Sequence, residues 1–131
     1  MSSAMIDFPS LFTTEQIEYI GQCVVMAAQQ ACGDLLRDVI LYGSYARGDF
    51  KEWSDVDIMV LADADDARCK LLDSEMSALL SDLDYHMNLL LYFIITPYDR
   101  FTQMKEAYPY YQNIDKEGKR LCSIMKVNSG E

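Results

Sequence analysis

The segment LYGSYARGDFKEWSDVDIMV, residues 41–60, holds a Gly-Ser pair and an Asp-x-Asp pair, each beside an apolar run. The run that ends at Tyr42 predicts a buried strand, and the run over 56–61 predicts a second strand. Because side chains alternate between the faces of a strand, Asp55 and Asp57 are expected on one face. Two carboxylates held close together repel each other and lose hydration, and a divalent cation is the simplest compensation.

The Gly-Ser pair supplies a complementary feature for an anionic ligand. Gly43 permits a sharp turn and lets a phosphate approach the backbone closely. The residues after Ser44 are predicted to begin a short helix, whose first N–H groups bind anions. The Ser44 hydroxyl and Arg47 can reach the same charge. A phosphate cradle beside metal-holding carboxylates is typical of phosphoryl and nucleotidyl transfer.

The pattern G-S-x-A-R-G…S-D-x-D, over residues 43–57, resembles the signature of the polymerase-beta-like nucleotidyltransferase superfamily, in particular its minimal nucleotidyltransferase (MNT) branch. The segment PYYQNIDKEG, residues 109–118, resembles the usual end of that branch. The resemblance implies an α/β (α+β) nucleotidyltransferase fold, in which a small mixed β-sheet has helices packed on one face. It also implies that Mg²⁺ is held by Asp55 and Asp57, and that ATP is bound by Gly43, Ser44, Arg47 and Ser54.

The family pattern also includes a third carboxylate on the next strand, which faces the Asp-x-Asp pair and is the expected base. A third strand over residues 88–96 would put Asn88 at that catalytic position. Asparagine offers an oxygen ligand but carries no charge and cannot accept a proton. Asp84 and His86 are alternative bases nearby, and full catalytic activity is left open by this departure.

Composition limits the class of protein. A chain of 131 residues predicts a single domain over 1–131, with a loose arm at 1–11 and a frayed tail at 128–131. The net charge of −10 argues against direct nucleic-acid binding, and it suits a metal–nucleotide site or a basic protein partner. No segment predicts a membrane span or a signal peptide. The cysteines, which lack C-x-x-C spacing, predict reduced thiols in a cytoplasmic protein: Cys23, Cys32, Cys69 and Cys122.

Local patterns predict alternating helices and strands. Thr13 and Gln16 form a capping-box pattern at the start of a first helix, and Gly33 is expected to end it. The remaining predicted elements are a short helix near 45–47, a helix from 63–66 to about 83, a helix capped by Thr96, a helix over 110–117 that ends at Gly118, and a strand-like tail over 121–127.

The resemblance implies three alternative functions. In the first, the chain is an antitoxin that transfers AMP from ATP to a tyrosine hydroxyl of a HEPN-type ribonuclease toxin, which is encoded nearby and forms a hetero-oligomer with it. In the second, a catalytically weak or inactive nucleotide-binding module neutralises the toxin by direct contact, with the tyrosines of 108–111 at the interface rather than packed inside. In the third, the acceptor is a small molecule such as an aminoglycoside, which usually requires an added helical domain.

Overall fold

The computed structural model describes residues 12–51 and 54–122. The predicted arm at 1–11, Trp53 and the tail from 123 onward, including 128–131, lie outside the described residues. None of the helices in the described ranges is long and apolar enough to cross a membrane. In chain order the elements are α1 (Thr14–Cys32), β1 (Leu36–Tyr42), α2 (Ser44–Arg47), β2 (Val56–Ala62), α3 (Asp66–Leu79), α4 (Tyr85–Leu89), β3 (Leu91–Pro97), α5 (Tyr98–Met104), α6 (Pro109–Glu117) and β4 (Lys119–Arg120).

The four strands form one mixed sheet in the order β3-β2-β1-β4. β1 runs antiparallel to β2 and to β4, whereas β3 runs parallel to β2. A parallel pair requires a crossover connection, and α3 and α4 lie in the connection between β2 and β3. The predicted α/β fold with a small mixed sheet is therefore confirmed.

Side-chain alternation along the strands builds a core on each face of the sheet. On one face, Val39, Val56 and Ile58 pack with residues of α1 and α3. On the other face, Ile40 and Met59 form a smaller cluster that includes Phe101 of α5 and Ile114 of α6. The two long helices, α1 and α3, pack on one face of the sheet, as predicted. The short helices α5 and α6 cover part of the other face.

Several helix ends follow the local patterns. Thr13 and Gln16 make both hydrogen bonds of a capping box at the start of α1, with Gln16 N donating to Thr13 Oγ1 over 3.1 Å. The helix ends at Gly33, whose φ of 54° lies in a region that favours glycine. At the other end of the chain, α6 stops at Gly118 as expected.

The predicted third strand was placed too early. Asn88 lies on α4, where its amide donates to Asp84 O over 2.9 Å, and β3 begins only at Leu91. Continuous apolar residues around 89–91 are compatible with a helix or a strand, so the pattern does not mark where one ends and the other begins.

Three further boundaries differ from the predictions. Thr96 is buried within β3 rather than capping a helix, and Pro97 precedes α5 instead. The predicted strand over 121–127 is wrong at Leu121 and Cys122, which are helical, and its remainder lies outside the described residues. The last strand of the described chain is β4, which comes before it. α3 ends at Leu79, earlier than expected.

An ion network holds β4 and α6 against β1. Arg120 Nη1 lies 2.8 Å from Asp38 Oδ2, and its Nη2 contacts Asp115. Lys105 directly follows α5, and its Nζ lies 3.5 Å from Asp115 Oδ1. These partly buried ion pairs are linked through Arg120 and Asp115. Together they hold β4 beside β1.

Gly118 and Gly21 offer a matched pair of glycine substitutions. A Cβ on Gly118 would overlap Ile40 Cγ2 and meet the Ile114 carbonyl oxygen, so Gly118→Ala should lower the free energy of unfolding by about 1–3 kcal/mol. A Cβ on Gly21 would meet only the Leu121 side chain, at 3.2 Å, and alanine gains up to about 1 kcal/mol of helix propensity there. Urea unfolding checks both variants. Equal destabilisation of the two would contradict the packing described for Gly118.

Candidate active site

The two predicted carboxylates lie at the start of β2. Asp57 is partly buried on the sheet face that also carries Met59, and Asp55 precedes the strand and is exposed. Burial raises the pKa of the Asp57 carboxyl, and the negative charge of Asp55 raises it further. The positive charge of Arg47 opposes both effects, since it lowers the same pKa. The structure therefore brings three predicted site residues within electrostatic reach of one another.

Gly43 forms the other wall of this site. It has φ 79°, and a Cβ built on it would overlap Asp57 Oδ2 and lie 3.3 Å from Asp57 Cγ. The antiparallel register explains the proximity, because Tyr42 at the end of β1 pairs with Asp57. Glycine is therefore required at this position both by its backbone conformation and by the carboxylate that lies against it.

The turn after Gly43 is rigidly built. The amides of Ala46 and Arg47 both donate to Gly43 O over 3.1 Å, which forms the single turn of α2. Tyr45 is buried, accepts a hydrogen bond from Phe12 N over 3.1 Å, and stacks on Phe50 with ring centroids 4.4 Å apart. The contacts of Tyr45 hold α2 in place. Gly43, at the start of the turn, faces the Asp57 carboxylate.

The other predicted nucleotide-binding residues differ in their present contacts. Ser44 Oγ makes no hydrogen bond to any residue in the described ranges. Arg47 is exposed, with Nε 3.2 Å from Asp49 Oδ2 and Nη1 3.9 Å from Glu117 Oε1. Ser54 Oγ accepts from Lys51 N over 2.8 Å and closes the turn before Asp55. A nucleotide-binding role for these residues stays a prediction.

The position level with Asp57 on the next strand is occupied by Tyr92. The parallel register pairs Asp57 with Tyr92, whereas Asn88 is exposed on α4, before β3 begins. The placement of Asn88 on the third strand is therefore wrong. Asp84 also precedes the strand, and the His86 side chain lies outside the described part of the chain.

The alignment of Tyr92 with Asp57 is not predicted by the sequence, because the predicted strand begins too early. The signal that would have found it is the hydroxyl-bearing ring within the otherwise apolar run 89–95. Tyr42, Asp57 and Tyr92 form one row across three strands, on one face. Tyr42 is buried and its hydroxyl lies 3.4 Å from that of Tyr110, and burial followed by this hydrogen bond raises the pKa of Tyr42.

The donor set suits a hard cation. Within the described ranges, no cluster of three or more His, Cys, Asp or Glu side chains could hold a metal ion by itself. Asp55 and Asp57 offer carboxylate oxygens beside the Gly43 turn. Mg²⁺ is usually bound through one or two carboxylates, with substrate phosphates and water as its other ligands. The residues present therefore fit a magnesium–nucleotide complex.

A family model described as "Nucleotidyltransferase domain" matches residues 28–121, most of the chain and all of the residues described above as the site. The chain therefore belongs to the nucleotidyltransferase domain family. This result agrees with the resemblance carried by the Gly-Ser and Asp-x-Asp pairs.

Short segments of the chain also match three proteins of Methanocaldococcus jannaschii that carry the provisional name protein adenylyltransferase. The identities are 53% over 30 residues, 47% over 45 residues and 64% over 28 residues. These segments make up 23%, 34% and 21% of this chain. They span only 30%, 27% and 28% of the relatives' own lengths.

Three solved structures are similar in part. A toxin–antitoxin with AMP-PNP gives a TM-score of 0.46 at 20% identity, over 77% of this chain and 71% of that chain. A tri-AMPylated Shewanella oneidensis HEPN toxin in complex with MNT antitoxin gives 0.45 at 18%, over 80% and 71%. A nucleotidyltransferase, provisionally so named, from Sulfolobus solfataricus gives 0.48 at 15%, over 81% and 82%.

Replacement of Asp57 by asparagine should stabilise the metal-free protein at neutral pH, because burial and the Asp55 charge both disfavour the ionised carboxylate. Since the pKa of Asp57 is raised on folding, the folded state holds this proton more tightly than the unfolded state. Wild-type stability should therefore fall as pH rises from the ordinary aspartate pKa through the raised value. The stability gained by Asp57→Asn should be present at pH values above the raised pKa of Asp57 and should disappear below the ordinary aspartate pKa.

Urea unfolding at several pH values in EDTA measures this effect. Asp82→Asn, at an exposed aspartate away from the site, serves as the control and should change stability little. A loss of stability in Asp57→Asn at pH 7 would contradict the charge repulsion described here.

Proposed function

We propose that this chain is an MNT-type antitoxin that transfers AMP from ATP to a tyrosine hydroxyl of a HEPN-type ribonuclease toxin. The observation that carries the proposal is the Gly43 turn packed directly against the Asp57 carboxylate, which brings the Gly-Ser pair and a predicted metal ligand together. Family membership supports nucleotidyl transfer. The names of the M. jannaschii relatives and the resemblance to the MNT branch support a protein acceptor.

Each site residue has a defined task in this reaction. Asp55 and Asp57 would hold Mg²⁺, which when bound neutralises phosphate charge during transfer. Gly43 and Ser44 would bind the triphosphate, and Arg47 would leave Asp49 to assist. Ser54 holds the turn that leads into Asp55. The acceptor oxygen forms a bond to the α-phosphorus of ATP, and the bond to the departing pyrophosphate breaks. Catalysis of this kind is mainly positioning and charge neutralisation.

The surface charge favours a protein partner. A net charge of −10 repels the phosphate backbone of a nucleic acid and attracts a basic protein, as an RNA-cutting toxin is expected to be. We infer a hetero-oligomer with a toxin encoded nearby, and no direct binding to nucleic acid. The four cysteines are present as thiols, which supports a cytoplasmic location. All four described strands belong to one sheet, which supports a single MNT domain.

The protein, the neighbouring gene product and Mg-ATP should together yield partner molecules that are heavier by one or more AMP masses. Asp55→Ala and Asp57→Ala should each abolish the gain, because each removes a metal ligand. Intact-mass spectrometry of both proteins measures the transfer, and Asp82→Ala serves as the matched control.

Two outcomes would contradict this function. Unchanged masses with a stable complex would favour neutralisation by contact alone. Unchanged masses without a complex would favour a small-molecule acceptor such as an aminoglycoside.

A weakly active or inactive module that neutralises its partner by contact is a second candidate. It is favoured by one observation: β3, Leu91–Pro97, contains no carboxylate, and the β3 residue level with Asp57 is Tyr92. A phenol is a poor substitute for a carboxylate as a general base. The chain would then retain nucleotide binding while transferring AMP slowly.

An acid introduced at the correct position separates the two candidates. Tyr92→Asp should raise the rate of AMP transfer to the partner by about 10²-fold if a missing general base limits it. Asn88→Asp, on the exposed face of α4, should not. Single-turnover transfer measures both rates. An equal rise in the two variants would contradict the register-based assignment of the third position.

A further inference from the structure

We propose that Tyr92 is a self-adenylylation site, to which the chain transfers AMP from ATP when no partner acceptor is bound. The inference rests on the proposed nucleotidyl transfer and adds an acceptor within the chain itself. Its starting point is the row across the sheet in which Asp57 is flanked by Tyr42 on β1 and by Tyr92 on β3.

The register brings the Tyr92 ring beside the predicted metal ligand. Paired residues on neighbouring strands are about 5 Å apart, and their side chains point to the same face of the sheet. A tyrosine side chain is longer than an aspartate side chain. The Tyr92 hydroxyl therefore extends farther from the sheet than the Asp57 carboxylate, toward the level at which a carboxylate-bound cation and its phosphate would lie.

The surroundings of Tyr92 leave its hydroxyl available. The residue is 50% exposed, and its hydroxyl makes no hydrogen bond to any residue in the described ranges. Tyr42, on the opposite flank of Asp57, is buried and its hydroxyl is paired with that of Tyr110. Of the two tyrosines that flank Asp57, only Tyr92 can serve as an acceptor.

One exposed tyrosine of the same strand–helix segment lies away from the carboxylates. Tyr98 is 38% exposed and begins α5, at the opposite end of β3 from Tyr92. Six residues of strand separate the two, or about 20 Å. Tyr98 therefore has comparable chemistry without the position, which makes Tyr98→Phe a matched control for Tyr92→Phe.

The transfer is a simple substitution at phosphorus. The Tyr92 Oη forms a bond to the α-phosphorus of ATP, and the bond from that phosphorus to the bridging oxygen breaks. Pyrophosphate leaves, and the phenolic proton passes to solvent, which the exposure of Tyr92 permits. The product is a phenyl phosphodiester that holds AMP over Asp57, so a modified chain should no longer adenylylate its partner.

Intact-mass spectrometry of the full chain with Mg-ATP alone tests the proposal. We expect a gain of one AMP mass, at a rate independent of protein concentration because transfer occurs within one chain. Tyr92→Phe should lose the gain and Tyr98→Phe should keep it. Fragmentation of the tryptic peptide 71–100 locates the AMP, and its location on any residue other than Tyr92 would overturn the proposal.

A second measurement does not depend on turnover. Nitration by tetranitromethane should modify Tyr92 in the nucleotide-free protein, and Mg²⁺ with α,β-methylene-ATP should protect Tyr92 but not Tyr98. A rise in Tm with the same analogue shows that the site is filled. Unprotected Tyr92 in a filled site would overturn the proposal.

Different results would refute self-adenylylation and the proposed function. AMP transfer to the partner without any AMP on Tyr92 would refute self-adenylylation and leave the proposed function intact. No rise in Tm with Mg-nucleotide, together with no transfer to the partner, would refute the proposed function and this inference with it.

Discussion

The site depends on the close approach of the Gly43 backbone to the Asp57 carboxylate. The antiparallel pairing of β1 with β2 makes Asp57 the neighbour of Tyr42, and the next residue must then turn away without a side chain. The backbone φ of 79° at this residue, Gly43, also favours glycine. The turn of α2, the buried Tyr45 behind it and the start of β2 are all positioned around this one contact.

That arrangement places function in tension with stability. Asp57 is partly buried beside Asp55, and both burial and the neighbouring charge disfavour its ionised form. Arg47 offsets only part of this cost, since its guanidinium is also shared with Asp49. The apolar cores on both faces of the sheet hold the strands in register despite the repulsion. A bound cation would relieve it.

Sequence patterns predicted the features that short-range chemistry determines. The Thr13 capping box, the stop at Gly33 and the first two strands depend on neighbours within a few residues, and they were found correctly. The identity of the third site position depends on how β3 is aligned with β2. Because the apolar run before β3 is compatible with a helix or a strand, counting along it placed Asn88 on the strand, whereas the β3 residue level with Asp57 is Tyr92. Pairing between strands is a tertiary property, and local periodicity does not contain it.

The position of β3 at the edge of the sheet separates the site into two parts with different freedom to evolve. Asp57 lies on a strand with neighbours on both sides and against a turn that tolerates only glycine, so few substitutions preserve the fold there. Residue 92 lies on an outer strand of the described sheet, half exposed, and a new side chain there disturbs little of the core. Because proteins need to stay only just above a stability threshold, such a position can change at low cost. The part of the row that contains Asp57 can therefore persist through drift while residue 92 diversifies.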